Sequence, residues 1–250
     1  MNSYIQKVIQ EGKASHISYF ARVLNNWWTF WFDTERRYIP ASLIKLPLSI
    51  AVLKNTPFER LSDTVTLWDD VEILDRNIWT EHTQLWGTYT LRELLENILI
   101  YSDNLATEAL IELLWEDIIN TVYKDLNLGM LDYDYPDSTY ISPKLYSSFF
   151  RILYNASYIW HNRSEYLLRV LSKSDYKDGI AWPIPDFIRI SNKFWERSFT
   201  DHHEKQLHDC GIIYAQQWPY TLCIMTSWDN FDYLTDIIQT ISKMIYTSLL

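Results

Sequence analysis

Glycine is nearly missing from this chain, with 5 in 250 residues against a usual share of ~7%. Turns that need a left-handed backbone must therefore use other residues, at a steric cost. Cysteine is scarce too. Two residues are too few for a disulfide framework, and the chain is too large to need one. They leave the redox compartment open. Cys210 and Cys223 fall on neighbouring predicted strands but read as diagonally offset, so buried thiols are expected rather than a bridge. Long apolar runs are absent. The longest stretch, Ile39 to Leu53, is interrupted by Pro40, Lys45 and Pro47, which excludes a membrane span there. Met1 to Ala14 has no apolar core of the signal-peptide type. The chain is therefore expected to be cytoplasmic, or to follow an export segment that lies upstream. Positive charge is short: 22 Lys and Arg stand against 32 Asp and Glu, a net charge of −10. Neither nucleic acid nor an anionic membrane suits such a surface.

Tryptophan is in surplus, at 12 residues. Glycine and tryptophan together number 17 (5 and 12), about 7% of the chain, which is the ordinary share of glycine alone. Several tryptophans occupy turn contexts: Trp27 after Asn25-Asn26, Trp86 before Gly87, Trp182 before Pro183, and Trp228 before Asp229-Asn230. Turns favour residues that accept φ > 0, which tryptophan does not do cheaply. One reading is an aromatic-rich core, in keeping with 18 Tyr and 10 Phe. The other is that many of these positions are glycine in the living cell, since some bacteria read the codon UGA as glycine.

A hydrophobic share of 48% and this length suit one large domain or two small lobes. Ile5 to Gly12 reads as a short helix. Ala14–Asn25 and Trp28–Asp33 read as strands around an Asn25-Asn26 turn. Pro40 precedes a helix from Ala41 to about Lys54, with Ser42 in its first turn. Residues 55–185 read as mainly helical. Leu91, Leu94, Leu95, Ile98 and Leu99 form one stripe at helical spacing, and Ala106, Ala109, Leu110 and Leu113 another. Ser102-Asp103-Asn104 lies at the junction between them. Gly129 to Ile141 is a polar loop, and Ser142-Pro143 opens another helix. From Phe187 the period changes. Ile188–Phe199, Gln206–Ala215 and Tyr220–Ser227 read as an antiparallel meander, and Asn230–Leu250 as a closing helix. The strand groups at the two ends are expected to form one antiparallel sheet of about five strands flanked by helices. This is an α/β (α+β) sandwich with an inserted all-helical lobe. The expected lobes are 1–60 plus 186–250 and 61–185, forming one unit over 1–250.

Three short segments carry the chemistry. Ser42 stands one helical turn before Lys45, a nucleophile with a base on the same face. Ser102 with Asn104 two residues on supplies a proton relay and an amide. Lys193, in a strand-like segment, supplies a cation for a carboxylate. Each segment alone has an ordinary reading: a helix start with a solvated lysine, a helix cap, a strand lysine. Together, and in this order, they point to acyl transfer.

With Pro40-Ala41-Ser42-Leu43-Ile44-Lys45, Tyr101-Ser102-Asp103-Asn104-Leu105-Ala106-Thr107 and Asn192-Lys193-Phe194, the chain resembles the class A β-lactamase-like serine hydrolases. The group is taken here in the broad sense that includes penicillin-binding transpeptidases. His208-Asp209-Cys210-Gly211-Ile212-Ile213 and Pro219-Tyr220 resemble the sheet strands of a bacterial branch of that family. The resemblance implies that Ser42 attacks the carbonyl of a β-lactam or a peptide. Lys45 accepts its proton, which requires a neutral amine. Ser102 passes the proton to the leaving nitrogen, Asn104 binds the substrate's side-chain amide, and Lys193 attracts its carboxylate. The backbone N–H groups of Ser42 and Glu196 form the oxyanion hole. No metal or other cofactor is implied. The partner is a small β-lactam or a cell-wall peptide, the family's setting is extracytoplasmic, and a monomer is expected.

Two departures bear on function. Residues 130–137, before the Ser142 helix, hold no glutamate to activate a deacylating water; Asp132, Asp134 and Asp137 are the carboxylates there. In the third motif Phe194 replaces a hydroxyl residue, and Trp195 stands where the family has glycine, beside the strand that must approach substrate. These departures keep two alternatives open: a D-Ala-D-Ala peptidase or transpeptidase, and a catalytically silent relative that binds peptidoglycan fragments or a partner. His202, His203 and His208 with Asp209 have metal-like spacing, but they straddle a turn and a strand and read as a solvated hairpin. The aspartates of the 130s lack the glycine and terminal glutamate of a calcium loop.

Overall fold

The computed structural model describes residues 1–67, 82–114, 116–126, 140–199 and 203–250. Two compact units emerge: Met1–Pro40, Tyr140–Ile152 and Tyr176–Leu250 form the first, and Ala41–Thr139 with Leu153–Asp175 the second.

The first unit is built on a five-stranded antiparallel sheet in the order β2-β1-β7-β6-β5. Its strands are β1 (His16–Val23), β2 (Thr29–Phe32), β5 (Ile190–Ser198), β6 (Lys205–Ile213) and β7 (Tyr220–Trp228). The two chain ends thus share one sheet, as their strand patterns predict. Alternation splits the strands into two faces. One face presents Ile17, Tyr19, Ala21, Leu207, Leu222 and Ile224 to helices α1 (Asn2–Gln10) and α8 (Phe231–Ser248). Leu234, Ile237, Ile238, Ile241 and Ile245 fall on one stripe of α8 and are buried, as helical spacing requires. Asn230 opens α8 by accepting hydrogen bonds from the Asp232 and Tyr233 N–H groups, a side-chain cap that satisfies orphan donors.

Register corrects the reading of the cysteines. Cys210 of β6 stands directly opposite Cys223 of β7, and the two form a disulfide. Pairing register depends on how the connecting turn closes, and neither strand alone contains that information.

In the second unit, α2 (Lys45–Asn55) is buried from Lys45 to Leu53. A helix apolar all round belongs in an interior, and α2 packs against α3 (Leu91–Ile100), α4 (Asn104–Leu114), α5 (Glu116–Asp125) and α7 (His161–Leu171). Pro47 is tolerated because it lies in the first turn, where its missing N–H has no helical partner. Ser42 does not belong to this helix. It lies in a single 3-10 turn, Ala41–Ile44, that leads into α2; Ala41 has φ 33, outside helical backbone space. Two three-residue strands, β3 (Thr64–Thr66) and β4 (Thr88–Thr90), pair antiparallel within the stretch read as helical. They are rich in β-branched residues but too short to display a period. The remaining helix, α6 (Pro143–Tyr154), starts at Ser142-Pro143 as its sequence signals.

The junction of α3 and α4 is tightly held. Tyr101 and Asp103 both donate their backbone N–H to the Asn97 carbonyl. The Asp103 carboxylate accepts from Ala106 N–H at 2.9 Å, capping α4, and from Thr83 N–H at 2.8 Å.

The turn tryptophans divide. Trp86 has φ 66, in the left-handed region, as its context predicts. Trp27, Trp182, Trp195 and Trp228 are not among the residues with positive φ, which corrects the expectation for them. His203 has φ 55, whereas His208 is buried inside β6. His202 and the aspartates 132, 134 and 137 lie outside the described residues.

Two buried neighbours on β6 set opposing pH responses. Burial pushes the Asp209 carboxyl up to about 7, against hydrogen bonds from Asn192 and Ile180 and the charge of Lys193. Burial pushes the His208 imidazole down to about 3. Folded Asp209 holds its proton more tightly than the unfolded chain does. Its contribution to stability is full below the ordinary carboxyl value of 3.8 and is lost as pH rises through about 7. His208 contributes fully above 6.5 and loses that contribution as pH falls through about 3. The two slopes oppose each other between these limits. Urea unfolding across this window should show Asp209→Asn gaining stability with rising pH, and His208→Phe losing it, each by up to ~1.4 kcal/mol per pH unit. Parallel slopes in both variants would refute the assignment. Separately, Asp103→Ala should destabilise the protein by ~2 kcal/mol, because it removes a cap and strands a buried N–H.

Candidate active site

The second unit gathers four of the sequence-predicted residues around one amine. Lys45 is 2% exposed. Its Nζ lies 3.1 Å from Ser42 Oγ, 3.1 Å from Ser102 Oγ, 2.6 Å from the Ser102 carbonyl oxygen and 2.6 Å from Asn104 Oδ1. Ser42 reaches this point from the 3-10 turn, one turn before Lys45, so the spacing read from the sequence is realised across a 3-10 to α transition. Ser102 and Asn104 arrive from the α3–α4 junction. Ser102 has φ 59, a left-handed conformation unusual for serine that turns both its carbonyl and its hydroxyl to the amine. Asp103, between them, faces away and secures the junction. Ala41 and Ser102, both at positive φ, flank the cluster, and such strain gathers at functional sites.

Proton counting shows what the cluster can do. The Ser102 carbonyl and the Asn104 amide oxygen can only accept, so each requires one N–H from Lys45. The two hydroxyls can donate or accept. A charged amine spends its third proton on a hydroxyl; a neutral amine offers its lone pair to a hydroxyl proton instead. One proton can therefore pass between Ser42 and Lys45 without any heavy atom moving. Ser42 and Asn104 are half-buried, whereas Lys45 is buried.

The first unit holds the other four residues on β5, at the end of the sheet order. Arg189–Tyr214 and Phe199–Glu204 are hydrogen-bonded pairs just beyond the two ends of the β5–β6 ladder. Alternation between them makes Lys193–Cys210 and Trp195–His208 hydrogen-bonded pairs, and Phe194–Asp209 and Glu196–Leu207 non-hydrogen-bonded ones. The backbone N–H of Glu196 therefore points away from β6, along the sheet's outer edge. Lys193 is 1% exposed, with Nζ 5.1 Å from the centre of the Phe194 ring. Phe194 stacks on Tyr176 with ring centres 3.9 Å apart.

Trp195 is buried on the face that it shares with Lys193. Its ring lies 4.8 Å from that of His208, which in turn meets Tyr38 edge-on at 4.9 Å. The strand register continues unbroken through Trp195, so the indole does not distort β5. The sequence reading did not foresee the burial of Asp209 and His208 behind this strand. Asn192 donates to the Asp209 carboxylate at 3.0 Å, and Ile180 N–H at 2.8 Å. Only pairing register could have revealed that contact. Among the described residues, no helix is long and apolar enough to cross a membrane.

Comparison with solved structures places the fold. A beta-lactamase from Chitinophaga pinensis superposes with a TM-score of 0.87 at 14% identity, covering 100% of this chain and 99% of that one. A beta-lactamase from Sphaerobacter thermophilus gives 0.81 at 22% identity, with 99% and 97% covered. PBP-A gives 0.83 at 16% identity, with 98% and 94% covered. No curated protein matches the chain. The Beta-lactamase enzyme family model, however, matches residues 1–249, and with that match the chain belongs to the beta-lactamase enzyme family.

Proposed function

We propose that this chain is a serine hydrolase that works by acyl transfer through Ser42, with a β-lactam as the acyl donor. The observation that carries this reading is the buried amine of Lys45, within 3.1 Å of both serine hydroxyls. Ser42 Oγ attacks the lactam carbonyl while its proton moves to Lys45 Nζ. The C–N bond then breaks, and Ser102 Oγ delivers a proton to the leaving nitrogen, regaining one from Lys45. Asn104, whose Oδ1 accepts from Lys45, binds the substrate's side-chain amide. The remaining roles rest on the family resemblance. Lys193 attracts the substrate carboxylate, with Phe194 and Trp195 beside it, and the N–H groups of Ser42 and Glu196 receive the oxyanion. The outward direction of the Glu196 N–H supports its part.

A second reading, a D-Ala-D-Ala peptidase or transpeptidase, shares the same acylation step. The absence of glutamate from residues 130–137 favours it, because an acyl-enzyme without a positioned base persists. PBP-A, in a mutant form, has been solved as an acyl-enzyme complex with penicillin G.

Intact-mass measurement after incubation with penicillin should show a long-lived adduct of one molecule per chain, absent in Ser42→Ala. Lys45→Ala should slow adduct formation by ~10²–10⁴-fold, the range for losing a general base. Fast multiple turnover of nitrocefin would show that an aspartate of the 130s activates water. No adduct with either a β-lactam or a D-Ala-D-Ala peptide would overturn the acyl-transfer reading. Lys193→Ala should raise KM more than it lowers kcat, measured on whichever substrate acylates.

A further inference from the structure

We propose that residue 195 is glycine in the protein as its own cell makes it, and that Trp86 and other exposed tryptophans share this origin. The codon behind them is then read as glycine. The inference rests on the reading above only in naming β5 as the substrate strand.

Three observations converge. The first is exposure. An aromatic-rich core would bury its tryptophans, since tryptophan is highly buried on average. Trp27, Trp28, Trp31, Trp86, Trp160 and Trp182 are instead between 46% and 85% exposed. They come from a hairpin, an edge strand, turns and a helix N-terminus. The core reading of the surplus therefore does not account for them.

The second is backbone. Trp86 is 59% exposed at φ 66. It lies in a tight turn closed by Gly87 N–H donating to the Gln84 carbonyl, while its own N–H donates to the Leu67 carbonyl and Leu67 N–H donates to the Gly87 carbonyl. That conformation is nearly free for glycine and strained for a residue with a bulky side chain.

The third is residue 195 itself. Its indole covers the β5 face beside Lys193 and seals His208, whose Nε2 is buried without a hydrogen-bond partner among the described residues. A buried, unpaired ring nitrogen is costly. With glycine at 195 the indole volume becomes open space, His208 Nε2 meets water, and the face beside Lys193 is cleared for a ligand. The strand needs no rearrangement, because its ladder already runs straight through this position.

The gene's codons and the native protein's peptides test this directly. UGA at positions 86 and 195, with glycine at both in peptide mass spectra of protein from the source cells, is the expected result. UGG at these positions, or tryptophan in those peptides, overturns the proposal. Both readouts are independent of whether Ser42 acylates, so their failure is distinct from failure of the proposed function. In recombinant protein, Trp86→Gly should raise the thermal midpoint, and a lowered midpoint would count against the proposal. Trp195→Gly should be acylated by penicillin on the order of tenfold faster or more, the scale of better positioning at a reacting centre. An unchanged or slower rate would show that the indole does not limit access.

Discussion

A lysine amine that is almost wholly buried needs partners, and the site is organised around supplying them. Lys45 meets four oxygens among the described residues. Burial of an amine with fewer partners would be strongly unfavourable. That requirement explains features that otherwise look unrelated. The apolar body of α2 buries the stem of Lys45. The 3-10 turn before it swings Ser42 into reach. Ser102 accepts a left-handed backbone so that one residue can offer both a carbonyl and a hydroxyl. Asp103 ties the junction to Thr83 and caps α4, holding Ser102 and Asn104 on either side of itself. The same arrangement that stabilises the amine also prepares it for proton exchange with two serines.

The sheet solves a different problem. β5 ends the strand order, so alternate backbone groups remain outside the ladder, and Glu196 N–H is one of them. Behind this edge, β6 carries two buried titratable groups on opposite faces. Asp209 is held by Asn192 and Ile180, and His208 by aromatic contacts with Tyr38 and Trp195. Burial pushes each toward its uncharged form. Gly211 also lies on β6, where a Cβ would meet the Ser191 carbonyl at 2.5 Å, so the close approach of β5 and β6 tolerates no side chain there.

Departure from the family pattern is concentrated on β5. Phe194 gives Tyr176 a stacking partner and lies near the Lys193 amine, where a hydroxyl residue would offer a hydrogen bond. Trp195 adds an indole on the Lys193 face. Neither change disturbs the register of the sheet. The second unit keeps the residue types of the first two motifs, while the third, on β5, is altered.

The amino-acid sequence by itself determined the shared sheet formed by the two ends, the helix that follows Pro40, the closing helix and the one-turn spacing of Ser42 and Lys45. All of these rest on periodicity or short-range spacing, which a single segment contains. Turn chemistry was partly legible: the context of Trp86 demands a left-handed backbone, but those of Trp27, Trp182 and Trp228 do not enforce one. What the sequence could not show depends on how separate segments meet. The Cys210–Cys223 bridge, the outward N–H of Glu196 and the Asn192–Asp209 contact all follow from pairing register. The convergence of Ser102 and Asn104 on Lys45 follows from packing of helices more than 50 residues apart in the chain. Only the tertiary structure decided these, because register and helix packing are set by contacts that no segment makes alone.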